Sequence, residues 1–328
     1  MLSNMMNIAG TVLSSVGITK LLYHKNAMKP KILMYHDIAE ESAFYPSVLN
    51  VTPTCFEKQL KYLTNHYNVI SYPELINGLK GNITLPKHSV ALTFDDGLQS
   101  HAENAAPLLE KYGCTGTFFV VGQCFEQKPL WLHQWYFLTK NVNEKEALKE
   151  LSRHTNHPVR TVREGVQLLK YSCNPKQRNI ILRALMKQFK VNWTIKNPYL
   201  NFIQIKKMQK RGHTIGYHTN THTPIAGLNS KQIIEEVITG KKTVEKKIGP
   251  IKHFAYPFGE TTSLGNAEDI LKKNYSSAVT TNEGFANKDV FRLSRLSVVE
   301  SNDLAFSAAL EGIRGCAANL YQKVKVWR

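Results

Sequence analysis

Short apolar runs of strand length alternate with helical patterns along most of this chain, and that alternation restricts it to parallel βα units. The runs fall at 32–35, 69–71, 90–94, 116–121, 214–217, 253–256 and 277–280, with helical patterns at 54–65, 102–112, 204–211, 230–248 and 267–273. An open sheet and a barrel both satisfy this order. At 328 residues and 42% hydrophobic content the chain has enough apolar material for a substantial core. No internal repeat or low-complexity run divides it.

Two of the runs end in residues that carry chemistry. Ser89-Val90-Ala91-Leu92 leads into Thr93-Phe94-Asp95-Asp96-Gly97, so adjacent carboxylates lie where a buried strand gives way to a loop. Neighbours on a strand face opposite ways, and these two share a site only where the strand breaks, which Gly97 permits. Thr214-Ile215-Gly216-Tyr217 opens in turn into His218-Thr219-Asn220-Thr221-His222. Two neutral imidazoles and one carboxylate make a three-ligand set with coordination positions left open, as in a catalytic metal site, and the other aspartate is then a ready base. Asp-Asp-Gly alone reads as a turn and His-x-x-x-His alone as a chance pairing. The weight lies in the conjunction.

These segments resemble the first and second signature motifs of the polysaccharide deacetylase family, also called the NodB homology domain or carbohydrate esterase family four. Phe254-Ala255-Tyr256-Pro257-Phe258-Gly259 resembles a third, the aromatic-Pro-aromatic-Gly loop that lines the family's substrate groove. The likeness extends over about residues 30–125 and 199–300. It implies a distorted, incomplete (β/α) barrel with its site at the strand ends. It further implies hydrolysis of an N-acetyl group on an amino sugar, with Asp95 as general base and a divalent metal, Zn2+ foremost, on Asp96, His218 and His222. Tyr256, Pro257 and Phe258 would line the substrate, the backbone N–H of Tyr256 helping to stabilise the oxyanion.

The resemblance has departures. The general acid of the family is usually a histidine on a late strand, and this chain has no histidine after His253. Lys31-Ile32-Leu33-Met34-Tyr35-His36 is instead an early apolar strand ending in histidine, as in the circularly permuted branch that includes the poly-N-acetylglucosamine deacetylases, which makes His36 the expected acid. Where many relatives carry an arginine that orients the catalytic aspartate, this chain has Phe254. Arg295, in Phe291-Arg292-Leu293-Ser294-Arg295-Leu296, resembles the Leu-x-Arg-Ile strand of the permuted branch and is the expected partner of Asp95, depressing its pKa and holding its rotamer.

Residues 30–328 thus read as one catalytic domain, interrupted at 122–198 by a polar, lysine-rich insertion with helical patterns at 144–152, 159–171 and 175–189. Trp131, His133, Trp135 and Tyr136 open the insertion, where the aromatic rings either stack on a sugar or anchor the insertion to the barrel. Residues 1–29 read as an amphipathic, membrane-associating segment. Their first part, 1–19, is uncharged yet broken by serine, asparagine and threonine, so it lacks both the unbroken run of a spanning helix and the basic leader of a secretory signal.

Five cysteines at irregular spacing indicate no disulfide framework. With no export signal, the expected setting is cytoplasmic at an inner membrane face, export being the alternative. Forty-two Lys and Arg against 25 Asp and Glu, a formal charge of +17, favour an acidic partner. No nucleic-acid motif accompanies the charge, so an anionic membrane surface or a lipid-linked, phosphate-bearing sugar is expected ahead of nucleic acid.

The expected function is metal-dependent N-deacetylation of a polysaccharide, oligosaccharide or glycolipid. The alternative, a catalytically silent glycan-binding or assembly protein on the same scaffold, needs neither a base nor three ligands, and all four residues are present.

Overall fold

The computed structural model describes residues 17–313, apart from 44, 47, 48, 260, 262, 263 and 266. Most of the N-terminal segment and Cys316 lie outside the described residues. The strands are β1 (Lys31–Tyr35), β2 (Asp37–Ile38), β3 (Asn50–Val51), β4 (Asn68–Val69), β5 (Ser89–Phe94), β6 (Gly116–Val120), β7 (Thr214–Tyr217), β8 (His253–Ala255), β9 (Ser277–Glu283) and β10 (Leu293–Ser297). Because β1 pairs with β10 on one side and β5 on the other, the order β1-β10-β9-β8-β7-β6-β5 closes into an all-parallel ring. The fold is therefore a barrel and not an open sheet. β4 adds only to the start of β5, and β2 and β3 form a separate pair.

Side-chain parity along the strands separates two layers. Leu33, Leu92, Phe94, Phe118, Phe254 and Leu296 belong to one apolar cluster, which extends to helices on the outside. Ile32, Ala91, Phe119, Ala255, Val279 and Leu293 belong to another. With both faces covered, β1, β5 and β6 are buried throughout, which is why they read as mainly apolar runs without polar alternation. Thr93 and Arg295 share the parity of Ala91 and Leu293, so the barrel carries a fully buried guanidinium that must find partners.

The helices are α1 (Ile18–Lys25), α2 (Pro53–His66), α3 (Tyr72–Leu79), α4 (Ala106–Lys111), α5 (Trp131–Asn141), α6 (Glu144–Thr155), α7 (Val162–Tyr171), α8 (Pro175–Gln188), α9 (Phe202–Lys210), α10 (Ser230–Ile234), α11 (Gly240–Ile248), α12 (Ala267–Asn274) and α13 (Asp303–Leu310). Ser71, expected in a strand, instead caps α3: its hydroxyl accepts from the Glu74 N–H, and Pro73 stands in the first turn. Tyr72, Leu75 and Ile76 of α3 then pack against the cluster of Ile32 and Phe119. The insertion comprises α5 to α8 around a core of its own, with Trp135, Leu138, Leu151, Leu169 and Leu182 fully buried. That core runs on into Tyr45, Leu98, Val121 and Tyr199, which ties the insertion to the barrel loops.

At the N-terminal end, α1 docks on the barrel. The Tyr23 hydroxyl donates to the His66 carbonyl and its ring stacks on His88 at 3.8 Å. Among the described residues no helix is long and apolar enough to cross a membrane.

Candidate active site

β5 ends at Phe94, and the next two residues turn its chemistry into the barrel mouth. The Asp95 N–H donates to Tyr35 O at 3.0 Å, continuing the ladder to β1. Asp96 and Gly97 then both adopt positive φ, 75° and 63°. The strand breaks there, as the adjacent carboxylates require. Gly97 is confined as well as turned, since a Cβ on it would stand 3.2 Å from the Val120 backbone.

Asp95 and Arg295 form a fully buried bidentate pair, Nη1 to Oδ1 at 2.8 Å and Nη2 to Oδ2 at 2.6 Å. The rest of the guanidinium is used too: Nε donates to Thr280 O at 2.7 Å and Nη1 to Thr93 Oγ1 at 3.1 Å. Arg295 follows Leu293 by two residues on β10 and so faces the same way, and beside it the β9–β10 pairing slips between Leu293 and Arg295. Burial pushes the Asp95 carboxyl up, but the charge and hydrogen bonds of Arg295 outweigh it and hold the group below the ordinary carboxylate value. Phe254, at the position where relatives carry arginine, is a buried core residue edge-on to Tyr256.

Asp96, His218 and His222 converge as a second cluster, one donor atom from each lying within 4.8 Å of the others. Nε2 of His218 and of His222 lie 3.5 and 3.2 Å from Asp96 Oδ1. His218 Nδ1 faces Ala255 O at 2.7 Å, and because a carbonyl only accepts, the ring proton sits on Nδ1 and Nε2 carries the lone pair. Burial pushes the His218 pKa down to about 4, so the ring is neutral and fit to ligate. Asp96 Oδ1 is buried with no hydrogen-bond partner among the described residues. A carboxylate oxygen left bare between two imidazole nitrogens fits a divalent cation.

The loops that carry these groups are held from outside the barrel by two π turns. In the turn His101–Ala105, His101 donates through Nε2 to the His36 carbonyl at 2.7 Å. In the turn Glu235–Thr239, which interrupts the helical pattern expected over 230–248, Glu236 accepts from the N–H groups of Asn220 and Thr221, both at 2.9 Å. Thr219 and His222 have φ of 63° and 56°, so this loop is held away from relaxed geometry while it presents its imidazoles.

His36, directly after β1, lines the same cavity as Asp95, Asp96, His218 and His222. The cavity holds about 620 Å³ and is further walled by Met34, Leu132, Tyr136, Arg163, Lys170 and Phe258. The third-motif loop contributes differently from expectation. The Tyr256 N–H is spent on Val279 O at 3.0 Å in the β8–β9 ladder, and its side chain is buried away from the cavity, which removes it as an oxyanion donor. Pro257 is also buried, and Phe258 (φ 60°) is the residue of this loop on the cavity wall.

Of the aromatics that open the insertion, Trp131 anchors it to the barrel, its indole N–H donating to His222 O at 3.1 Å, while Trp135 holds the insertion's own core, its N–H donating to Val162 O at 3.1 Å. Tyr136 alone of the four reaches the cavity. His133 is fully buried behind it, between Tyr45 and Tyr199. Tyr45 and Tyr199 lie in loops with no motif around them, so sequence periodicity gives no sign of either. Arg178 of α8, also unanticipated, stacks its guanidinium 4.3 Å over Trp131 and donates to Thr223 beside the His222 loop.

A sequence profile of the polysaccharide deacetylase family matches residues 82–162 and 186–274, the gap falling inside the insertion. YxkH of Bacillus subtilis (strain 168), which carries the family's name, is 24% identical over 293 residues, spanning 87% of this chain and 77% of its own. Among solved structures, the Streptococcus pyogenes deacetylase PplD in complex with acetate superposes with a TM-score of 0.59 at 21% identity, over 87% of this chain and 97% of that one. IcaB from Ammonifex degensii gives a TM-score of 0.55 at 20% identity, over 86% of this chain and 97% of its own. The profile, the ring of parallel strands and the carboxylates and imidazoles at its mouth agree, and this chain belongs to the polysaccharide deacetylase family.

Proposed function

We propose that the protein removes N-acetyl groups from amino sugars, with Asp95 as general base, His36 as general acid, and Zn2+ on Asp96, His218 and His222. The observation that carries this reading is the division of labour between the adjacent carboxylates: one is paired to a buried arginine, the other is left bare between two imidazoles. The bound metal supplies a Lewis acid for the acetyl carbonyl and lowers the pKa of water at the site. Asp95 is kept ionised and in one rotamer by Arg295, and each of its oxygens retains a lone pair to take a proton from attacking water. His36, in the same cavity, delivers a proton to the departing amine nitrogen.

The cavity volume lies in the range of small-ligand sites, ~300–1,000 Å³, and α7 walls one side of it, which suits a chain end or short glycan better than the middle of a long polymer. Arg163 and Lys170 on that wall favour a substrate with a phosphate, such as a lipid-linked sugar, and the formal charge of +17 suits an anionic membrane surface.

The test is amine release from N-acetylglucosamine oligomers and from lipid-linked N-acetyl sugars. The wild type is expected to release amine, while Asp95→Asn and His36→Ala each lose about 10²–10⁴-fold in rate. Full activity of His36→Ala would remove it from the acid role. Absence of release from every substrate would overturn the hydrolase reading.

A further inference from the structure

The second oxygen of Asp96 belongs to a hydrogen-bond chain that starts in the insertion. The Tyr45 hydroxyl donates to Asp96 Oδ2. His133 Nε2 lies 2.6 Å from the Tyr45 oxygen, and His133 Nδ1 lies 2.8 Å from the Tyr199 hydroxyl, which accepts from the Leu130 N–H at 2.8 Å. All three side chains are essentially inaccessible to solvent, with Tyr45 and Tyr199 at 1% and His133 at 0% exposure.

The proton positions follow from one end. An ionised carboxylate only accepts, so Tyr45 must donate to Asp96 and accept from His133 Nε2–H. Burial holds the His133 pKa down to about 3, so the ring is neutral, Nδ1 is bare and Tyr199 donates to it. Every donor then points toward Asp96, and no member of the chain is free to turn. The insertion also reaches the second ligand loop, through the Trp131 N–H on the His222 carbonyl.

We propose that Tyr45, His133 and Tyr199 are positioning residues for the metal ligand Asp96, pinning Oδ2 so that Oδ1 alone faces His218 and His222, and that the helical insertion is thereby part of the metal centre. This rests on the metal site proposed above. A ligating carboxylate whose other oxygen is fixed presents one orientation, and loss of such a partner typically weakens metal binding about 10- to 100-fold.

The test is Zn2+ affinity of the full chain by chelator competition, together with the d–d spectrum of the Co2+-loaded protein and thermal unfolding of the metal-free form. Tyr45→Phe, which deletes one hydroxyl, is expected to bind about 10- to 100-fold more weakly and to shift the Co2+ bands, with a metal-free form that still unfolds cooperatively. His133→Leu should weaken binding likewise, and His133→Gln, whose amide N–H reaches toward the place of Nε2, should recover part of the loss. Because His133 acts through Tyr45, the double variant Tyr45→Phe/His133→Leu should bind about as weakly as Tyr45→Phe alone. If the wild type binds metal and Asp96→Ala does not, while Tyr45→Phe binds as tightly as wild type with an unshifted spectrum, the positioning role is overturned and the metal site stands. If the wild type itself binds no Zn2+ or Co2+, the metal site falls and this inference with it.

Discussion

Arg295 is a buried cation whose guanidinium is divided among Thr280 O, Thr93 Oγ1 and both oxygens of Asp95. Its removal strands a carboxylate in the barrel. Arg295→Met is therefore expected to lose about 3–5 kcal/mol of stability at neutral pH, read by urea unfolding, since breaking a buried pair leaves the other charge uncompensated. A loss below about 1 kcal/mol would mean that Asp95 does not depend on it. The pH dependence follows in sign. With its folded pKa below the ordinary value of 3.8, Asp95 contributes stability that is present above that value and lost as pH falls through the lower folded one. In Arg295→Met the carboxyl loses the largest influence that offsets its burial, its pKa rises, and the acidic limb of kcat/KM moves to higher pH. An unmoved limb would show that Asp95 is not the group titrating there.

At the scale of elements, strand ends were readable because a strand covered on both faces writes a mainly apolar run, and Asp95, Asp96 and His218 follow directly on such runs. His36 was readable for the same reason, and β10 became recognisable only through the family likeness around Arg295. What local text did not give was set by long-range contact. Tyr256 looks like a loop donor but pairs with Val279 across the ladder, Ser71 ends in a helix cap, and Tyr45 and Tyr199 acquire their places only when the insertion folds over the barrel. The insertion's effect on the cavity is testable at Gly165, where α7 crosses α5. A Cβ there would stand 2.5 Å from Trp135 Cζ2, a buried ring with no room to withdraw. Gly165→Val is expected to push α7 outward, carrying Arg163, Val166 and Lys170 with it, and to raise KM several-fold with a smaller change in kcat. An unchanged KM would mean that α7 does not shape the substrate site.

At the scale of the molecule, ring closure is what assembles the site. β1 lies between β10 and β5, which brings His36, Arg295 and Asp95 from distant parts of the chain to one barrel mouth, in a chain whose formal charge is +17. For a phosphate-bearing substrate that field should matter at long range: KM is expected to rise between 0.01 and 0.15 M salt, where the screening length falls from about 30 to 8 Å, and to stay level for neutral oligomers. Equal salt dependence for both would detach charge from recognition. Whether the adjacent aspartates divide base and ligand roles is tested by one paired measurement: bound Zn2+ and amine release, determined together for wild type, Asp95→Asn and Asp96→Ala. Metal and activity are expected in the wild type, metal without activity in Asp95→Asn, and neither in Asp96→Ala. Activity retained by Asp95→Asn, or by fully metal-depleted wild type, would contradict it.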